Sequence, residues 1–540
     1  MRVLKLFGLS VALVILALAA GNGGQTGLSQ EGPWTIDDIF ARWVNEVPGF
    51  GGLFLDEHGI LNVFLLDLDY AERAREFIGS AFPEMGISVP EEIAFLQGEY
   101  DFRQLLEWKR RIMYGLAEYG LIEFEHGITS VDIDDARNRI VIGVEDLYLE
   151  DMIREMLYYL DIPQEAVIVE QEGPLELLSL SPSDIYSDPQ CLCLNHRVRP
   201  TLGGLEILAP DAGLCTLGFN CRHPDYGLCF VTCSHCTEEE GDCPGGSCRH
   251  TGFLQSGDYV GEEVLDPPFF RCFLIARCRY SDSALVQYDE RVRANFEIAG
   301  TSYGRTCCID SRYKVVGKVL HPIVGEKLEI VGSQTGTQEG TLDKVCTNVL
   351  RSVLPPIWYL CQGRLWNVEV KGGDSGAPVY KFIPGDKAKL YGILWSKSRV
   401  TATAYFSMMW GIERELGTLQ VSSSAHKGNA SFNVKLETTG GFILPVMIND
   451  EWYRLWPWSQ PVDLSKRLIQ REFPLGERVT IWYADWVRPF AIGLECEPKI
   501  EILSDRHVTL TPPGYPSPVE GREITFIIEQ DTICTLKGEK

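Results

Sequence analysis

The sequence predicts a mainly β protein with three folded parts. From residue 201 to about 419, short apolar strands alternate with glycine-rich turns, as in residues 315–320 and 328–332, and this pattern is typical of a β-barrel or sandwich. Residues 31–172 predict an α+β domain ahead of it, and residues 430–540 predict a β-rich C-terminal domain behind it. With 540 residues, 45% of them hydrophobic, the chain is large enough to bury several cores.

The charge of the chain is concentrated in its first third. Asp and Glu number 75 against 49 Lys and Arg, which gives a net charge of −26. Residues 31–190 hold 34 acidic and 10 basic residues, a net of −24, whereas residues 191–540 hold 41 and 37, a net of −4. Such an excess of negative charge repels phosphate backbones, so nucleic acid is not an expected partner.

The N-terminus and the cysteines both predict export. Arg2 and Lys5 precede an apolar stretch, residues 6–20, which indicates a secretory signal peptide over residues 1–24 with a cut near Ala19. An uncleaved anchor is the alternative, but the apolar stretch is shorter than the ~20 residues that a membrane span needs. The 17 cysteines favour an oxidising compartment, and we therefore expect a secreted protein.

The acidic domain contains a weak internal repeat. In residues 52–65 and again in residues 129–142, apolar positions alternate on either side of an Asp-rich turn, which predicts two β-hairpins. Helical spacing and a further strand follow in segments that complete the domain: helices over residues 70–77, 100–119 and 149–160, and a strand over 166–169. Residues 173–200, rich in Pro, Ser and Asp at their start, predict a linker.

The clearest chemical motif surrounds Ser375. Residues 372–379 read GGDSGAPV, a serine among glycines before an apolar strand. A serine nucleophile needs an adjacent base, and its acyl oxyanion needs backbone donors that can approach closely. The glycines allow a tight bend in which the N–H groups of Gly373 and Ser375 form an oxyanion hole.

A base and a carboxylate come from two earlier strand ends. His235 follows the apolar run of residues 230–233, and Asp282 opens the apolar run of residues 284–286. The carboxylate would fix the imidazole tautomer and stabilise the imidazolium. Asp266 and Asp289 are rival carboxylates, but neither opens such a run. The sequence thus predicts a catalytic triad of His235, Asp282 and Ser375.

With this order of histidine, aspartate and serine, the sequence resembles the trypsin-like serine peptidases, and in particular the bacterial branch of alpha-lytic protease and the streptogrisins. Residues 202–204, 215–220 and 332–336 also match that branch. The resemblance covers residues 201–419 and implies a chymotrypsin-like double β-barrel, protein or peptide substrates and no cofactor. The acidic domain resembles the pro-regions of this branch, which assist folding and then block the cleft, so the chain's own N-terminal domain is an expected partner.

The resemblance also implies disulfides. Cys215 with Cys236 would lie beside the histidine, and Cys346 with Cys361 would close a loop before the serine. In the tail, Cys496 and Cys534 are a candidate pair. Zinc is the competing explanation for two closely spaced groups of ligand-type residues, 233–236 and 243–248, but export and the use of His235 in the triad favour disulfides, so no metal site is expected.

The specificity of the site and the role of the tail are less well defined by the sequence. In many relatives the residue six before the nucleophile lies at the base of the pocket; here that residue is Glu369, which would favour Lys or Arg in the substrate. A catalytically silent binding protein on the same scaffold is the alternative function. Five tryptophans between Trp452 and Trp486 would then bind a polymer or a surface, although the favoured explanation is that they are ordinary core and interface aromatics.

Overall fold

The computed structural model describes most of the chain from residue 34 onward. It omits residues 86, 124–126, 179–191, 244–250, 274–275, 352, 354, 423–428, 438–443, 449–450, 456–467, 475–477, 484–485, 488–489, 498–501, 511–518, 528–531 and 540. The predicted signal peptide, residues 1–24, lies outside the described residues. The chain divides into residues 1–34 and 35–540, and the fold below belongs to the second unit. The protein is mainly β, as predicted.

The first part of the fold combines helices with two small groups of strands. The helices are α1 (Ile36–Glu46), α2 (Ala71–Glu84), α3 (Phe102–Glu118) and α4 (Glu150–Tyr159). The strands are β1 (Phe50–Leu55), β2 (Leu61–Leu65), β3 (Ile93–Gln97), β4 (Ile128–Asp134), β5 (Arg139–Val144) and β6 (Val167–Gln171). Both predicted hairpins are confirmed, because β1 pairs with β2 and β4 with β5 in antiparallel register.

Local side-chain contacts explain where these elements begin and turn. Thr35 caps α1 in a capping box with Asp38, and Asp101 caps α3 by accepting from the N–H of Gln104. In the turn between β4 and β5, Asn138 adopts the left-handed conformation (φ 53°). Its side chain donates to the carbonyl of Gly51 at 2.9 Å, so the turn of the second hairpin is tied to the first.

The next part of the chain forms a seven-stranded sheet. Its strands are β9 (Glu206–Ala209), β10 (Gly213–Thr216), β11 (Phe219–His223), β12 (Gly227–Thr232), β13 (Gly252–Gln255), β14 (Asp258–Leu265) and β17 (Ala284–Tyr288). They follow the order β10-β9-β13-β14-β17-β12-β11. The inner side chains, among them Phe230 and Leu285, belong to an apolar cluster that extends to Val331 and Trp395, so this sheet shares its core with strands that follow later in the chain.

A second, larger sheet contains a closed ring of six strands. The ring consists of β20 (Lys327–Gly332), β21 (Gly336–Arg351), β22 (Ile357–Trp366), β23 (Pro378–Ile383), β24 (Lys387–Ser398) and β25 (Thr403–Met408), which helix α5 (Met409–Leu416) follows. Each strand pairs with two others of the ring. Strands β8 (Thr201–Gly203), β15 (Phe270–Cys272), β16 (Ala276–Arg279), β18 (Ala294–Thr301) and β19 (Ile309–Lys318) extend the sheet.

The N-terminal part joins this second sheet at two places. Strand β4 pairs antiparallel with β21, with Val131 opposite Asn348. A short strand, β7 (Leu175–Leu177), pairs antiparallel with β24. Within the predicted linker over residues 173–200, residues 175–177 therefore form a paired strand. A three-residue strand has no periodicity of its own, and its extended conformation is imposed by the edge of β24.

The C-terminal part consists of two five-stranded sheets. One has the order β29-β26-β35-β32-β31 and the other β28-β27-β30-β34-β33. The strands are β26 (Asn429–Glu437), β27 (Leu444–Ile448), β28 (Glu451–Leu455), β29 (Leu468–Pro474), β30 (Arg478–Tyr483), β31 (Trp486–Val487), β32 (Phe490–Glu497), β33 (Ile502–Leu510), β34 (Val519–Ile527) and β35 (Thr532–Glu539). This agrees with the β-rich domain predicted over residues 430–540. Across the described stretches, no helix combines the length and apolarity needed to cross a membrane.

Disulfides cross-link the middle of the chain. The structure joins Cys193 to Cys307, Cys215 to Cys236, Cys272 to Cys278, and Cys346 to Cys361. Cys243 and Cys308 are also disulfide-bonded, whereas Cys221, Cys229 and Cys233 are buried thiols. In the tail, the register of β32 and β35 places Cys496 opposite Cys534. The pairing of these two residues stays a prediction.

A buried carboxyl group on β4 makes the first part of the fold sensitive to pH. Asp132 is almost fully buried, and within the described part of the chain both its carboxyl oxygens lack a hydrogen-bond partner. Burial raises the pKa of Asp132 to about 7, although the charges of Lys344 and Lys109 act to lower it. The folded state therefore favours the protonated carboxyl.

We predict that replacing this carboxyl removes a pH dependence. The folded-state pKa lies above the unfolded value, so the folded state is stabilised at low pH, and this contribution is lost as the pH rises from about 4 to about 7. The full loss has an upper limit of about 4 kcal/mol. In Asp132→Asn, the difference in melting temperature between pH 5 and pH 8 should shrink. The exposed Asp69→Asn is the matched control, and an equal pH dependence in both variants would contradict the prediction.

Candidate active site

His235 lies in a short turn at the end of an apolar strand. The turn is a 3₁₀ helix, Ser234–Cys236, which begins two residues after β12 ends. The disulfide from Cys215 on β10 to Cys236 fixes the far side of this turn. The imidazole is consequently held at the edge of the seven-stranded sheet, nearly buried among its neighbours.

Asp282 lies in the loop between β16 and β17 and directs its carboxyl group at His235. Its Oδ2 is 2.7 Å from His235 Nδ1, and its Oδ1 accepts from the backbone N–H of His235 at 3.1 Å. Because a carboxylate only accepts, Nδ1 carries the ring proton, and Nε2 is left as an acceptor. Burial acts to raise the pKa of Asp282, but the charge and hydrogen bonds of His235 outweigh it and hold the pKa below its usual value.

Ser375 completes this row of side chains from the second sheet. Its Oγ is 2.6 Å from His235 Nε2, and the residue is fully buried. The carbonyl of Ser375 accepts from the N–H of Thr216 at 2.7 Å, which joins the serine turn to β10. The three predicted triad residues are therefore brought together, with the histidine between the other two.

The turn around Ser375 needs glycine at two positions. Gly373 and Gly376 have φ values of 91° and 89°, where residues with a Cβ are strained. A Cβ at Gly376 would lie 2.2 Å from the carbonyl oxygen of Thr216, and one at Gly373 would lie 2.5 Å from Gln334 Cγ. The side chain of Asp374 closes the turn by accepting from the N–H of Lys371 at 2.8 Å. Burial raises the pKa of Asp374 to about 6.

The chain itself binds one of the two predicted oxyanion donors. The N–H of Gly373 donates to the carbonyl oxygen of Leu178 at 2.5 Å, and the side chain of Leu178 is fully buried. This residue follows β7, the strand paired with β24. Among the described residues, the N–H of Ser375, the second predicted donor, is not paired with this oxygen. Of the predicted oxyanion hole, Gly373 therefore makes the contact.

A buried arginine that the sequence analysis missed connects the two loops of the site. Arg279, fully buried at the end of β16, donates to Ser234 Oγ at 2.7 Å and to the carbonyl of Ser283 at 3.0 Å. Its guanidinium also forms ion pairs with Asp266 at 2.8 Å and Glu415 at 3.3 Å. Burial acts to lower the pKa of Arg279, but the two carboxylates outweigh it and raise the pKa.

Glu415 on α5 holds the loop that carries Asp282. Its carboxylate accepts from the N–H of Tyr280 at 2.6 Å and from the N–H of Ser281 at 3.1 Å. On the other side of the aspartate, the N–H of Asp282 donates to Ser407 Oγ at 2.8 Å. An arginine three positions before an aspartate carries no pattern that distinguishes it from a surface residue, so the sequence offered no signal for this network.

The two rival carboxylates, Asp266 and Asp289, accept hydrogen bonds from groups other than the imidazole of His235. Asp266 is buried and accepts from Ser234 Oγ at 2.7 Å and from Arg279, so it supports the turn of His235 without contacting the imidazole. Burial raises the pKa of Asp266 to about 6. Asp289 accepts from the backbone N–H of Arg291 at 2.9 Å in an exposed turn.

The predicted pocket residue and the zinc alternative each concern side chains near the site. Glu369 is exposed, and its place at the base of a pocket stays a prediction. Cys233, His235 and Cys236 have ligand-type atoms within 4.8 Å of one another. However, the sulfur of Cys236 is bonded to Cys215, and both ring nitrogens of His235 face other side chains. Of these three residues, the thiol of Cys233 alone is left as a free ligand, which is too few for the four-coordinate site that zinc prefers.

A comparison with models of protein families gave no match, and none of the curated proteins matches the chain. The interpretation of the site therefore depends on its geometry.

We predict that Arg279 is required for the stability of the site. Arg279→Met would leave Asp266 and Glu415 buried without their cation, and removing one partner of a buried ion pair costs about 3 to 5 kcal/mol. A lower denaturant midpoint should report this loss. Arg291→Met is the matched control, because Arg291 is exposed and its ion pair with Asp289 spans 3.9 Å. Equal midpoints for the two variants would contradict a structural role for Arg279.

Proposed function

We propose that the protein is a secreted serine endopeptidase. The observation that carries the proposal is the continuous row of hydrogen bonds from Asp282 through His235 to Ser375, next to a backbone N–H that already binds a carbonyl oxygen. This combination supplies a nucleophile, a base, an orienting carboxylate and an oxyanion donor within one buried site. Hydrolysis of a peptide bond through an acyl-enzyme uses all four.

The chemistry follows from the positions of the side chains. Ser375 Oγ attacks the substrate carbonyl carbon while its proton passes to His235 Nε2. The negative charge that develops on the carbonyl oxygen is stabilised by the N–H of Gly373, with the N–H of Ser375 as the proposed second donor. His235 then protonates the leaving amine as the C–N bond breaks. Water then attacks the ester carbonyl carbon while His235 takes its proton, and His235 passes this proton to Ser375 Oγ as the ester C–O bond breaks.

The fold and the compartment belong to the same proposal. The closed six-stranded ring and the seven-stranded sheet, with the triad between them, support a chymotrypsin-like double β-barrel. The disulfides support an oxidising, extracellular location. The proposed substrates are proteins or peptides.

The N-terminal domain is proposed to inhibit the peptidase until it is displaced. Its last residues place Leu178 against the Gly373 N–H, where a substrate carbonyl would lie. Just before this segment, Glu172 is buried and pairs with Lys344 at 2.7 Å and Arg364 at 2.6 Å. Burial acts to raise the pKa of Glu172, but these two cations outweigh it and hold the pKa well below its usual range. Ionised Glu172 therefore anchors the segment to β21 and β22.

The proposed nucleophile is tested by covalent labelling. A fluorophosphonate probe reacts with an activated serine, so the full chain secreted from an oxidising host should become labelled, and peptide mapping should place the label on Ser375. Ser375→Ala should lose the label completely. The exposed Ser80→Ala is the matched control and should keep it.

The same experiment separates the peptidase from a silent binding protein. Because residues 175–178 lie in the site, labelling is measured in the wild type and in a variant that loosens this segment, Glu172→Gln. Labelling of Ser375 in either preparation supports the peptidase. Folded protein that remains unlabelled in both preparations would favour a binding protein on a peptidase scaffold.

We predict that loss of the Glu172 anchor increases access to the site. In Glu172→Gln, Lys344 and Arg364 lose their shared carboxylate, and the fraction of open molecules should rise at least about tenfold. The rate of fluorophosphonate labelling measures this fraction. Glu170→Gln is the matched control, because Glu170 pairs with Arg137 inside the N-terminal part. A labelling rate in Glu172→Gln no higher than in this control would contradict the anchoring role.

A further inference from the structure

The segment that occupies the site lies as an extended strand with a defined register. Leu177 lies opposite Ser396, Glu176 opposite Lys397, and Leu175 opposite Ser398. The hydroxyl of Ser396 donates to the carbonyl of Glu176 at 3.1 Å. The N–H of Gly373 also donates to the carbonyl oxygen of Leu178. These contacts hold the backbone of residues 175–178 at several points along its length. Each side chain of the segment therefore has a fixed environment.

The environment of Leu178 is apolar and closed. This side chain has no exposed surface and belongs to the same buried cluster as Val370 and Leu394. A leucine side chain gains about 1.5 to 3 kcal/mol from complete burial of this kind. An ammonium or a guanidinium in the same place would lose its hydration on burial, which is costly for a charged group. The pocket thus suits a branched aliphatic side chain.

The environment of Glu176 is basic and open to solvent. Its carboxylate lies 3.9 Å from Lys397 Nζ and 4.0 Å from Arg399 Nε, and the side chain is about half exposed (45%). Ion pairs at exposed positions contribute about 0.2 to 1 kcal/mol. Two cations on one strand edge give a modest preference for an acidic side chain two residues before the buried leucine, and they disfavour a basic one.

We propose that the site takes peptides with leucine on the acyl side of the scissile bond and an acidic residue two positions before it, and that residues 175–178 of the chain are an internal mimic of such a substrate. The inference rests on the proposed peptidase function. In the step it implies, Ser375 Oγ bonds to the leucine carbonyl carbon and the C–N bond to the next residue breaks. The proton of Ser375 reaches the leaving amine through His235, and no other reactant than water is needed.

Fluorogenic tetrapeptides of matched length test the aliphatic preference. The peptide Leu-Glu-Leu-Leu carrying an aminocoumarin leaving group is compared with Leu-Glu-Leu-Lys and Leu-Glu-Leu-Asp on the same leaving group. The full chain is used as wild type and as Glu172→Gln. We expect kcat/KM for the leucine peptide to exceed that for either charged peptide by about 100-fold or more. Equal rates, or a preference for lysine, would overturn the proposal.

Reversal of charge, first in the peptide and then in the protein, tests the preference for an acidic residue two positions before the leucine. Leu-Lys-Leu-Leu should be cleaved about threefold to tenfold more slowly than Leu-Glu-Leu-Leu. In Lys397→Glu this ratio should fall, because one of the two cations becomes an anion, whereas Lys389→Glu, on the same strand, should keep the wild-type ratio. A ratio that is unchanged in Lys397→Glu would overturn the role of this residue.

The experiment also separates failure of this inference from failure of the proposed function. Fluorophosphonate labelling does not depend on the peptide sequence. Labelling of Ser375 together with cleavage that ignores the leucine would overturn the specificity and leave the peptidase standing. Absence of both labelling and cleavage in wild type and Glu172→Gln would overturn the two together. Cleavage with the expected leucine and glutamate preferences supports both.

Discussion

The buried guanidinium of Arg279 is the interaction on which the geometry of the site depends. A cation without solvent contact is costly unless its surroundings complete its hydrogen bonds, and here Ser234, Ser283, Asp266 and Glu415 do so. Ser234 precedes His235 in its turn, and Ser283 follows Asp282 in its loop. The need to satisfy one charge therefore fixes the two loops relative to each other, so the imidazole and the carboxylate meet at 2.7 Å before any substrate arrives.

A second buried charge plays a comparable role between the first part of the fold and the second sheet. Strand β4 continues the sheet through β21, and Glu172 then meets Lys344 and Arg364 of that sheet. The acidity of residues 31–190 is thus only partly a surface property. Some of it lies inside, as with Asp132, where a carboxyl without hydrogen-bond partners in the described structure destabilises the ionised form. The two buried carboxyls respond to pH in opposite directions, because Glu172 needs its charge and Asp132 is better without it.

The sequence predicted those features that depend on local pattern. The alternation of apolar residues around Asp-rich turns was sufficient to predict both hairpins. The chemistry of serine, histidine and aspartate was sufficient to select three residues whose side chains meet in the fold, where the ring nitrogens of His235 lie 2.7 Å from Asp282 Oδ2 and 2.6 Å from Ser375 Oγ. Features that depend on residues far apart in the chain could not be predicted from local sequence patterns. Strand β7 is extended because β24 offers an open edge, and Arg279 is internal because two distant carboxylates surround it. Counting back from Ser375 to Glu369 likewise assumed a loop geometry that depends on distant residues, and the role of Glu369 stays a prediction.

The occupied site is consistent with an assembled catalytic geometry because the occupant is tethered. A segment joined to the same chain has an effective concentration in the millimolar range, so weak contacts are enough to keep it in place. The hydrogen bond of Gly373 and the pairing with β24 supply such contacts, and the buried Glu172 supplies the anchor. In the proposed peptidase, a free peptide with the same side chains would lack the tether and would leave after each turnover. The same contacts would then inhibit when the ligand belongs to the chain and select substrates when it does not.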